Sequence, residues 1–137
     1  MLELEVVTPA RTVLQDRARS IILPGTDGYL GLMVDHAPLV AGLQAGVLQY
    51  GDVGQEKARM AISGGFVEVA NNRVTVLADA AELSEEIDVE RAERALKRAI
   101  ARLRDLSGEI DRERARRAYF RARARLRAAQ MRQRSAR

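Results

Sequence analysis

Hydrophobic and polar residues alternate along the first half of the chain. Leu2, Leu4 and Val6 are separated by Glu3 and Glu5, and this period of two is typical of a β-strand with one buried face. Other short apolar runs are bounded by glycine, proline or paired asparagines, at residues 20–23, 47–50, 59–62, 66–69 and 73–77. Many short strands at near-regular spacing predict a β-sandwich or flattened barrel.

After residue 87 the hydrophobic period changes to three or four, which is typical of amphipathic helices. Asp88 is suited to cap the first helix, because its carboxylate can accept hydrogen bonds from free backbone N–H groups. Ser107-Gly108 separates two apolar stripes, which run through 89, 92, 96, 99 or 100, 103 and 106, and then through 110, 115, 118, 122, 126 and 129. Two helices joined by a short turn predict an antiparallel hairpin. Its stripes are rich in alanine, whose buried methyl contributes about 1 kcal/mol or less, so the hairpin should rest on another surface or move.

The sequence therefore predicts an α+β protein. Residues 1–86 are expected to form an N-terminal antiparallel β-sandwich, and residues 87–137 a C-terminal antiparallel two-helix hairpin. Charge divides in nearly the same place, because residues 1–87 hold six basic and twelve acidic residues, whereas residues 88–137 hold seventeen and seven. Net charges of −6 and +10 indicate two units with different partners.

Composition excludes several kinds of site. The 137 residues include no cysteine and one histidine, so there is no disulfide framework, thiolate zinc site or multi-histidine metal site. No apolar run approaches the roughly 20 residues of a membrane-spanning helix, and the acidic start does not resemble a signal peptide. We expect a soluble intracellular protein.

An enzyme is poorly supported by the candidate catalytic residues. His36 follows Asp35, and Ser63 precedes two glycines, so a small hydrolase could be drawn from these three. The sequence around Ser63 lacks the G-x-S-x-G pattern of a nucleophile elbow. His36 is therefore interpreted as a structural or interface residue in a loop.

The basic tail is the most conspicuous chemical feature of the sequence. From Arg114 to Arg137 there are ten arginines and no acidic residue. A basic regulatory protein that binds nucleic acid is one interpretation. It is disfavoured because Tyr119 and Phe120 are the only aromatic residues of the tail, a poor stacking platform, and because the first half would repel phosphate. An acidic partner is the preferred interpretation.

Four arginines of the predicted hairpin have a spacing that could bring them together. Arg91 and Arg98 are two turns apart on one helix face, and Arg121 and Arg125 share a face of the second helix. If the helices fold back on each other, these side chains can converge on a polyanion such as a nucleoside triphosphate. Asp88 would then be available for an amine or a ribose hydroxyl.

Several motifs occur in an order that is more specific than any one of them. The earlier motifs are Val-Thr-Pro at 7–9, Leu-Pro-Gly-Thr-Asp-Gly at 23–28, His-Ala-Pro-Leu at 36–39 and Gly-Val-Leu at 46–48. The most specific are Ser-Gly-Gly-Phe-Val-Glu-Val at 63–69, Val-Thr-Val-Leu-Ala-Asp at 74–79 and Ile-Asp-Val-Glu-Arg-Ala at 87–92. In this order the chain resembles the epsilon-subunit family of bacterial F-type ATP synthases.

The resemblance implies a non-catalytic rotor subunit of a proton-translocating ATP synthase. Family members bind the gamma subunit through the sandwich, which sits against the c ring. Their hairpin lies folded on the sandwich or extends into the catalytic head of alpha and beta subunits, where it blocks ATP hydrolysis. No required cofactor and no nucleic acid are implied. The expected location is peripheral, on the cytoplasmic face of the bacterial cell membrane, with membrane contact only through the complex.

The resemblance also implies three sets of site residues. The gamma and c-ring interface would include Tyr29, Leu30, His36, Pro38 and Leu39. Contact with an acidic loop of the beta subunit would involve Arg114, Arg116, Arg117, Arg123 and Arg127. ATP, a regulatory ligand in some members, would bind Glu82, Asp88, Arg91, Arg98, Arg121 and Arg125.

The chain departs from the family pattern in one segment. Residues 29–31 are expected to form a loop after Gly28, and they read Tyr-Leu-Gly where many members have an acidic residue before the leucine. Residues 33–35 read Met-Val-Asp where a Leu-Pro-Gly type of segment is usual. The loop that contacts the c ring should therefore be retained but shaped differently.

Overall fold

Ten strands form two five-stranded sheets that pack face to face, and two helices follow them. The structure is a computed structural model that describes residues 1–55 and 57–135, with side chains described up to Met131. The arginines of the basic tail at positions 132, 134 and 137 therefore lie outside the described side chains. The strands are β1 Leu2–Val7, β2 Thr12–Ala18, β3 Ser20–Gly25, β4 Gly28–Met33, β5 Leu39–Gly42, β6 Gly46–Gly51, β7 Ala58–Ser63, β8 Phe66–Ala70, β9 Arg73–Leu77 and β10 Ala80–Leu83. A 3-10 turn at Ser84–Glu86 leads to α1 (Val89–Arg104) and α2 (Arg112–Ser135).

The sheets confirm the predicted sandwich and add one parallel pairing. The first sheet has the order β2-β1-β9-β8-β5, and the second has the order β10-β7-β6-β3-β4. Neighbouring strands are antiparallel except β1 and β9, which pair in parallel from Glu3 and Arg73 to Val7 and Leu77. Such a pairing joins distant parts of the chain, so no local turn signal predicts it.

The core lies between the two sheets and contains mostly large aliphatic side chains. Inward-facing residues alternate with outward-facing ones along each strand, as a period of two requires. The largest fully buried side chains are Leu2, Leu4, Val6, Ile21, Leu23, Leu32, Val47, Leu48, Met60, Ile62, Val67 and Val69; of these, Val47 belongs to a separate cluster on the outer face of the second sheet. Gly64 and Gly65 connect β7 to β8, and glycine is needed at 65 because its φ is 100° and a side chain there would clash with the carbonyl oxygen of Leu77.

Two local predictions are wrong. Pro24-Gly25 does not end the run at 20–23, because β3 continues to Gly25 and pairs with β4 along its whole length. Its pairing with β6 stops at Ile22, so the missing N–H of Pro24 breaks no ladder on that side. Tyr29 and Leu30 lie in strand β4 and not in a loop.

The predicted hairpin is confirmed with one change at its turn. The Asp88 carboxylate accepts a hydrogen bond from the Arg91 backbone N–H (3.1 Å) and caps α1. Leu106 was expected to extend the apolar stripe, but α1 ends at Arg104 and Leu106 is 89% exposed. The turn is tied instead by the Arg112 guanidinium, which donates to the carbonyl oxygens of Leu103 and Asp105, at 3.0 Å each.

Candidate functional site

Helix α2 rests on the outer face of the second sheet, which is one of the two outcomes that the sequence predicted for the hairpin. Its contact surface consists mainly of alanines, with Met131 packed beside them, and the sheet contributes side chains from β6 and β7. The buried cluster contains Val47, Ala61, Ile87, Ala124, Ala128 and Ala129. Because these side chains are small, the helix approaches the sheet closely but buries little apolar surface.

A bidentate ion pair joins the hairpin to the edge of the same sheet. The Arg125 Nε donates to Glu82 Oε1 at 2.7 Å, and Arg125 Nη2 donates to Glu82 Oε2 at 3.3 Å. About a quarter to a third of the surface of each side chain remains exposed to solvent. Farther along α2, Arg59 Nη1 of β7 donates to the carbonyl oxygen of Met131 at 3.5 Å.

A groove of ≈ 370 Å³ runs beside this ion pair, between the sheet edge and α2. Its floor is formed by small residues of β7 and β10. Its polar residues are Arg11, Ser63, Glu82, Glu86, Arg121 and Arg125. With three arginines and two glutamates, the groove has a local charge of +1 and can attract an anion.

The predicted ATP residues are divided by the structure. Glu82, Arg121 and Arg125 line the groove together. Asp88 is engaged as the cap of α1, whereas Arg91 and Arg98 are exposed on α1 and do not line this groove. The geometry therefore brings together the carboxylate of Glu82, at the edge of the second sheet, and the arginines of α2, and it leaves the arginines of α1 apart.

The arginines predicted to contact the beta subunit lie on the exposed surface of α2. Arg116 is 3.8 Å from the Glu113 carboxylate. Arg123 lies 5.5 Å from the centre of the Tyr119 ring and donates to its hydroxyl at 3.5 Å. The other members of this set, Arg114, Arg117 and Arg127, are also exposed.

The aromatic pair of α2 offers little support for nucleic-acid binding. The Tyr119 and Phe120 rings pack edge to face, 5.2 Å apart, and the Arg123 guanidinium covers Tyr119. One aromatic face is therefore already used by a cation, whereas a stacking platform needs free faces.

The residues predicted to contact gamma and the c ring lie at two ends of the sandwich. Tyr29 and Leu30 are at the start of β4, and the Tyr29 hydroxyl accepts a hydrogen bond from the Val47 N–H (3.3 Å). His36 lies beyond the other end of β4, followed by Pro38 and by Leu39 at the start of β5. These residues thus form two surfaces, separated by the length of a strand.

The loop that carries His36 is fixed by a contact that the sequence did not indicate. The Asp35 N–H donates to Asn72 Oδ1 at 2.6 Å, and Asn72 Nδ2 donates to Asp35 Oδ1 at 3.1 Å. In the sequence, Asn71-Asn72 indicates only a boundary between two apolar runs. The reciprocal bonds tie the β4–β5 loop to the β8–β9 turn, so His36 and Pro38 are presented on an ordered surface.

A hydrolase built from His36 and Ser63 is not supported by the fold. His36 Nδ1 lies 2.7 Å from the carbonyl oxygen of Ala37. The His36 N–H donates to the carbonyl oxygen of Met33, at one end of the second sheet. Ser63, the last residue of β7, lies at the opposite end of that sheet. Within the described residues there is no cluster of metal-ligating side chains, and none of the described helices is long and apolar enough to cross a membrane.

Among the described residues, two ionisable groups have clearly displaced pKa values. Burial raises the pKa of Tyr50 to about 12, and the neighbouring Asp16 carboxylate adds to the effect. Hydrogen bonds from Ser107 lower the pKa of Asp105 in the hairpin turn. Neither group lines the groove, so these shifts concern stability rather than ligand binding.

Arg11, Ser63 and Glu86 are the polar groove residues that the sequence did not assign to a ligand. Arg11 lies between β1 and β2, far from the helical motif, and Ser63 was considered only as a nucleophile. The sequence did contain a signal for the surface on which α2 docks, because residues 46–48 and 60–62 are apolar without alternation. This pattern indicates that both faces of β6 and β7 are covered.

The fold and the groove define a class, a β-sandwich with a cationic helical hairpin docked on one sheet. Residues 1–84 match the family model "ATP synthase, Delta/Epsilon chain, beta-sandwich domain", and residues 85–130 match "ATP synthase, Delta/Epsilon chain, long alpha-helix domain". The chain belongs to the delta/epsilon chain family of ATP synthase. Membership in this family makes it a non-catalytic subunit, as the sequence predicted.

Relatives and solved structures agree with this assignment. The chain is 55% identical over 104 residues to an ATP synthase epsilon chain of Symbiobacterium thermophilum, covering 75% of this chain and 74% of the relative. It is 52% identical over 103 residues to one of Moorella thermoacetica, covering 75% and 77%. A chain in the Euglena gracilis mitochondrial ATP synthase, solved as OSCP/F1/c-ring, is 27% identical, with a TM-score of 0.79 and coverage of 94% and 81%.

Proposed function

We propose that this chain is the central-stalk subunit that couples gamma to the c ring of a proton-translocating F-type ATP synthase. Residues 1–86 serve as the rotor-binding unit, and residues 87–137 serve as a regulatory arm. The subunit is peripheral, on the cytoplasmic face of the bacterial membrane. Family membership and the F1 and c-ring setting of a similar structure support this proposal.

The arm inhibits ATP hydrolysis when it leaves the sandwich and extends along gamma. Its exposed arginines then contact an acidic segment of the beta subunit. The net charge of +10 in residues 88–137 supports an acidic partner, and the −6 of residues 1–87 favours the docked position in its absence. The same charges can thus serve both positions of the arm.

The observation that carries this proposal is the alanine surface between α2 and the sheet. The docked position is stabilised by about 1 kcal/mol or less for each buried methyl group of Ala124, Ala128 and Ala129. The Arg125–Glu82 ion pair adds little to this free energy, because both side chains are partly exposed. The docked position is therefore favoured by only a few kcal/mol. A ligand or a subunit with a matching preference can reverse such an equilibrium.

ATP acts as the regulatory ligand of the docked position. Arg121 and Arg125 hold phosphate oxygens by charge-assisted hydrogen bonds. Arg91 and Arg98 do not line the groove in the docked position, so they contribute only if their side chains turn toward it. A ligand present at one hundred times its Kd stabilises the state that binds it by about 2.7 kcal/mol. That amount is comparable with the stability of the docked position itself.

The test is ATP hydrolysis by a reconstituted complex that contains either the full chain or residues 1–87. Both forms should assemble with gamma, and the truncated form should hydrolyse ATP several times faster. A matched full-length variant replaces Arg114, Arg116, Arg117, Arg123 and Arg127 by Gln, and it should relieve inhibition without shortening the helix. Equal hydrolysis by the full and truncated complexes would remove the inhibitory role.

A further inference from the structure

We infer that Arg11 of the β-sandwich is a further phosphate-binding residue of the groove beside α2, so that a polyphosphate bridges sandwich and hairpin. The inference rests on the proposed function, in which ATP binds the docked hairpin. It adds a residue that lies outside the helical motif and on the other structural unit.

The position of Arg11 is fixed by its backbone. The Arg11 carbonyl accepts hydrogen bonds from the Thr8 N–H (2.9 Å) and the Thr8 hydroxyl (3.2 Å), and the Arg11 N–H donates to Thr8 Oγ1 at 3.4 Å. The start of this turn is tied to β9, because the Ala78 N–H donates to the Val7 carbonyl at 2.9 Å. The turn therefore holds Arg11 at the wall of the groove and leaves its guanidinium exposed.

The charges of the groove are incompletely balanced. Glu82 is engaged by Arg125 through two hydrogen bonds. Neither Arg11 nor Arg121 forms an ion pair with any described residue. Even with Glu86 at the margin, the groove keeps a local charge of +1, with uncompensated guanidinium groups on the sandwich wall and on α2.

A phosphate chain fits this arrangement in size and chemistry. The volume of ≈ 370 Å³ lies within the range of small-molecule sites, roughly 300–1,000 Å³. Guanidinium groups bind phosphate oxygens through paired, charge-assisted hydrogen bonds. Ser63 between the two walls can donate one more.

The inference gives a physical link between ligand and docking. A ligand shifts an equilibrium only by its difference in affinity for the two states. An anion held by α2 alone would bind the docked hairpin no better than the undocked one, because Arg125 is engaged by Glu82 when the hairpin is docked. An anion held by Arg11 and α2 together finds its complete site only when the hairpin is docked, so its binding stabilises that position.

The experiment is calorimetric titration of the purified full chain with ATP and, separately, with inorganic tripolyphosphate at one fixed salt concentration. Arg11→Ala should weaken both affinities about tenfold, as expected for a hydrogen bond to a charged group, and Arg11→Lys should recover part of the loss. The control is Arg17→Ala, because Arg17 is exposed on β2, faces Glu3 and lines a different groove. It should stay within about twofold of the parent chain. Thermal unfolding of all variants should coincide, since both arginines are exposed.

Each outcome separates the two proposals. Unchanged affinity in Arg11→Ala, or an equal loss in Arg17→Ala, would overturn the role of Arg11 and leave the ATP site standing. Binding of tripolyphosphate that depends on Arg11, without binding of ATP, would support the phosphate bridge and remove ATP as its ligand. No binding of either compound by the parent chain would overturn both.

Discussion

The interior of the β-sandwich and the contact between sandwich and hairpin are built from different side chains. The interior contains leucine, isoleucine, valine and methionine, nearly all fully buried. The contact contains Val47 and Ala61 on the sheet, Ile87 before α1, and three alanines with Met131 on α2. Removing a large core side chain costs about 2–5 kcal/mol, whereas an alanine methyl contributes about 1 kcal/mol or less. We therefore expect the sandwich to stay folded if the hairpin leaves it.

The largest effect is expected in the sandwich core. Leu48→Ala should lower the free energy of unfolding of the sandwich by about 2–5 kcal/mol, because Leu48 is fully buried between the sheets. Urea unfolding followed by circular dichroism measures this. Leu106→Ala in the exposed hairpin turn is the matched control and should have almost no effect. Similar losses in both variants would contradict the difference between the two regions.

A second substitution should separate the hairpin from the sandwich. Ala128→Phe places a large side chain at a fully buried contact, and overpacking costs about 1–3 kcal/mol, comparable with the docking free energy. Amide hydrogen exchange should rise in α2 and stay unchanged in β6 and β7 strand bonds. Ala101→Phe, at an exposed position of α1, is the control. Loss of protection throughout the sandwich would show that the two units unfold together.

Alkaline pH should weaken the sandwich through Tyr50. Its pKa is about 12 in the folded protein, compared with 10.0 for a tyrosine that is not buried. Folding therefore favours the neutral form of the side chain. This contribution, roughly 2–3 kcal/mol, is complete below pH 10 and is lost as the pH rises through about 12. Urea midpoints measured across this window should fall more steeply for the parent chain than for Tyr50→Phe. Parallel curves would contradict the shift.

The smallest effect is expected at the ion pair between the two units. Glu82→Gln should reduce the docking free energy by about 1 kcal/mol or less, because both partners are partly exposed. The change should shrink in high salt, which screens such pairs. Protease cleavage in α2 reports the docked fraction. Glu68→Gln, on the exposed face of β8, should leave it unchanged.

Local signals were enough to predict the two units. Alternation marked β1, the Gly64-Gly65 pair marked a turn, and Asp88 marked the start of α1. Strand β4 was missed because its glycines at 28 and 31 resemble a loop, although Leu32 between the sheets is fully buried. The parallel pairing of β1 with β9 depends on tertiary packing, and no local pattern contains it.

The candidate site was only partly predictable for the same reason. Arg121 and Arg125 follow from helical spacing, since they share one face. Their partners on the sandwich depend on how α2 lies across the second sheet: Glu82 is 43 residues from Arg125, and Arg11 comes from the first sheet. Helical spacing alone also grouped Arg91 and Arg98 with them, and these residues lie outside the groove.

The central claim is that inhibition requires the hairpin to leave the sandwich. The chain has no cysteine, so in the purified chain Glu82→Cys and Arg125→Cys can be joined selectively by a bismaleimide before assembly into the complex, with each single variant as control. The account predicts that the locked complex hydrolyses ATP as fast as the complex with residues 1–87. A locked complex that remains as inhibited as the unlocked one would contradict it.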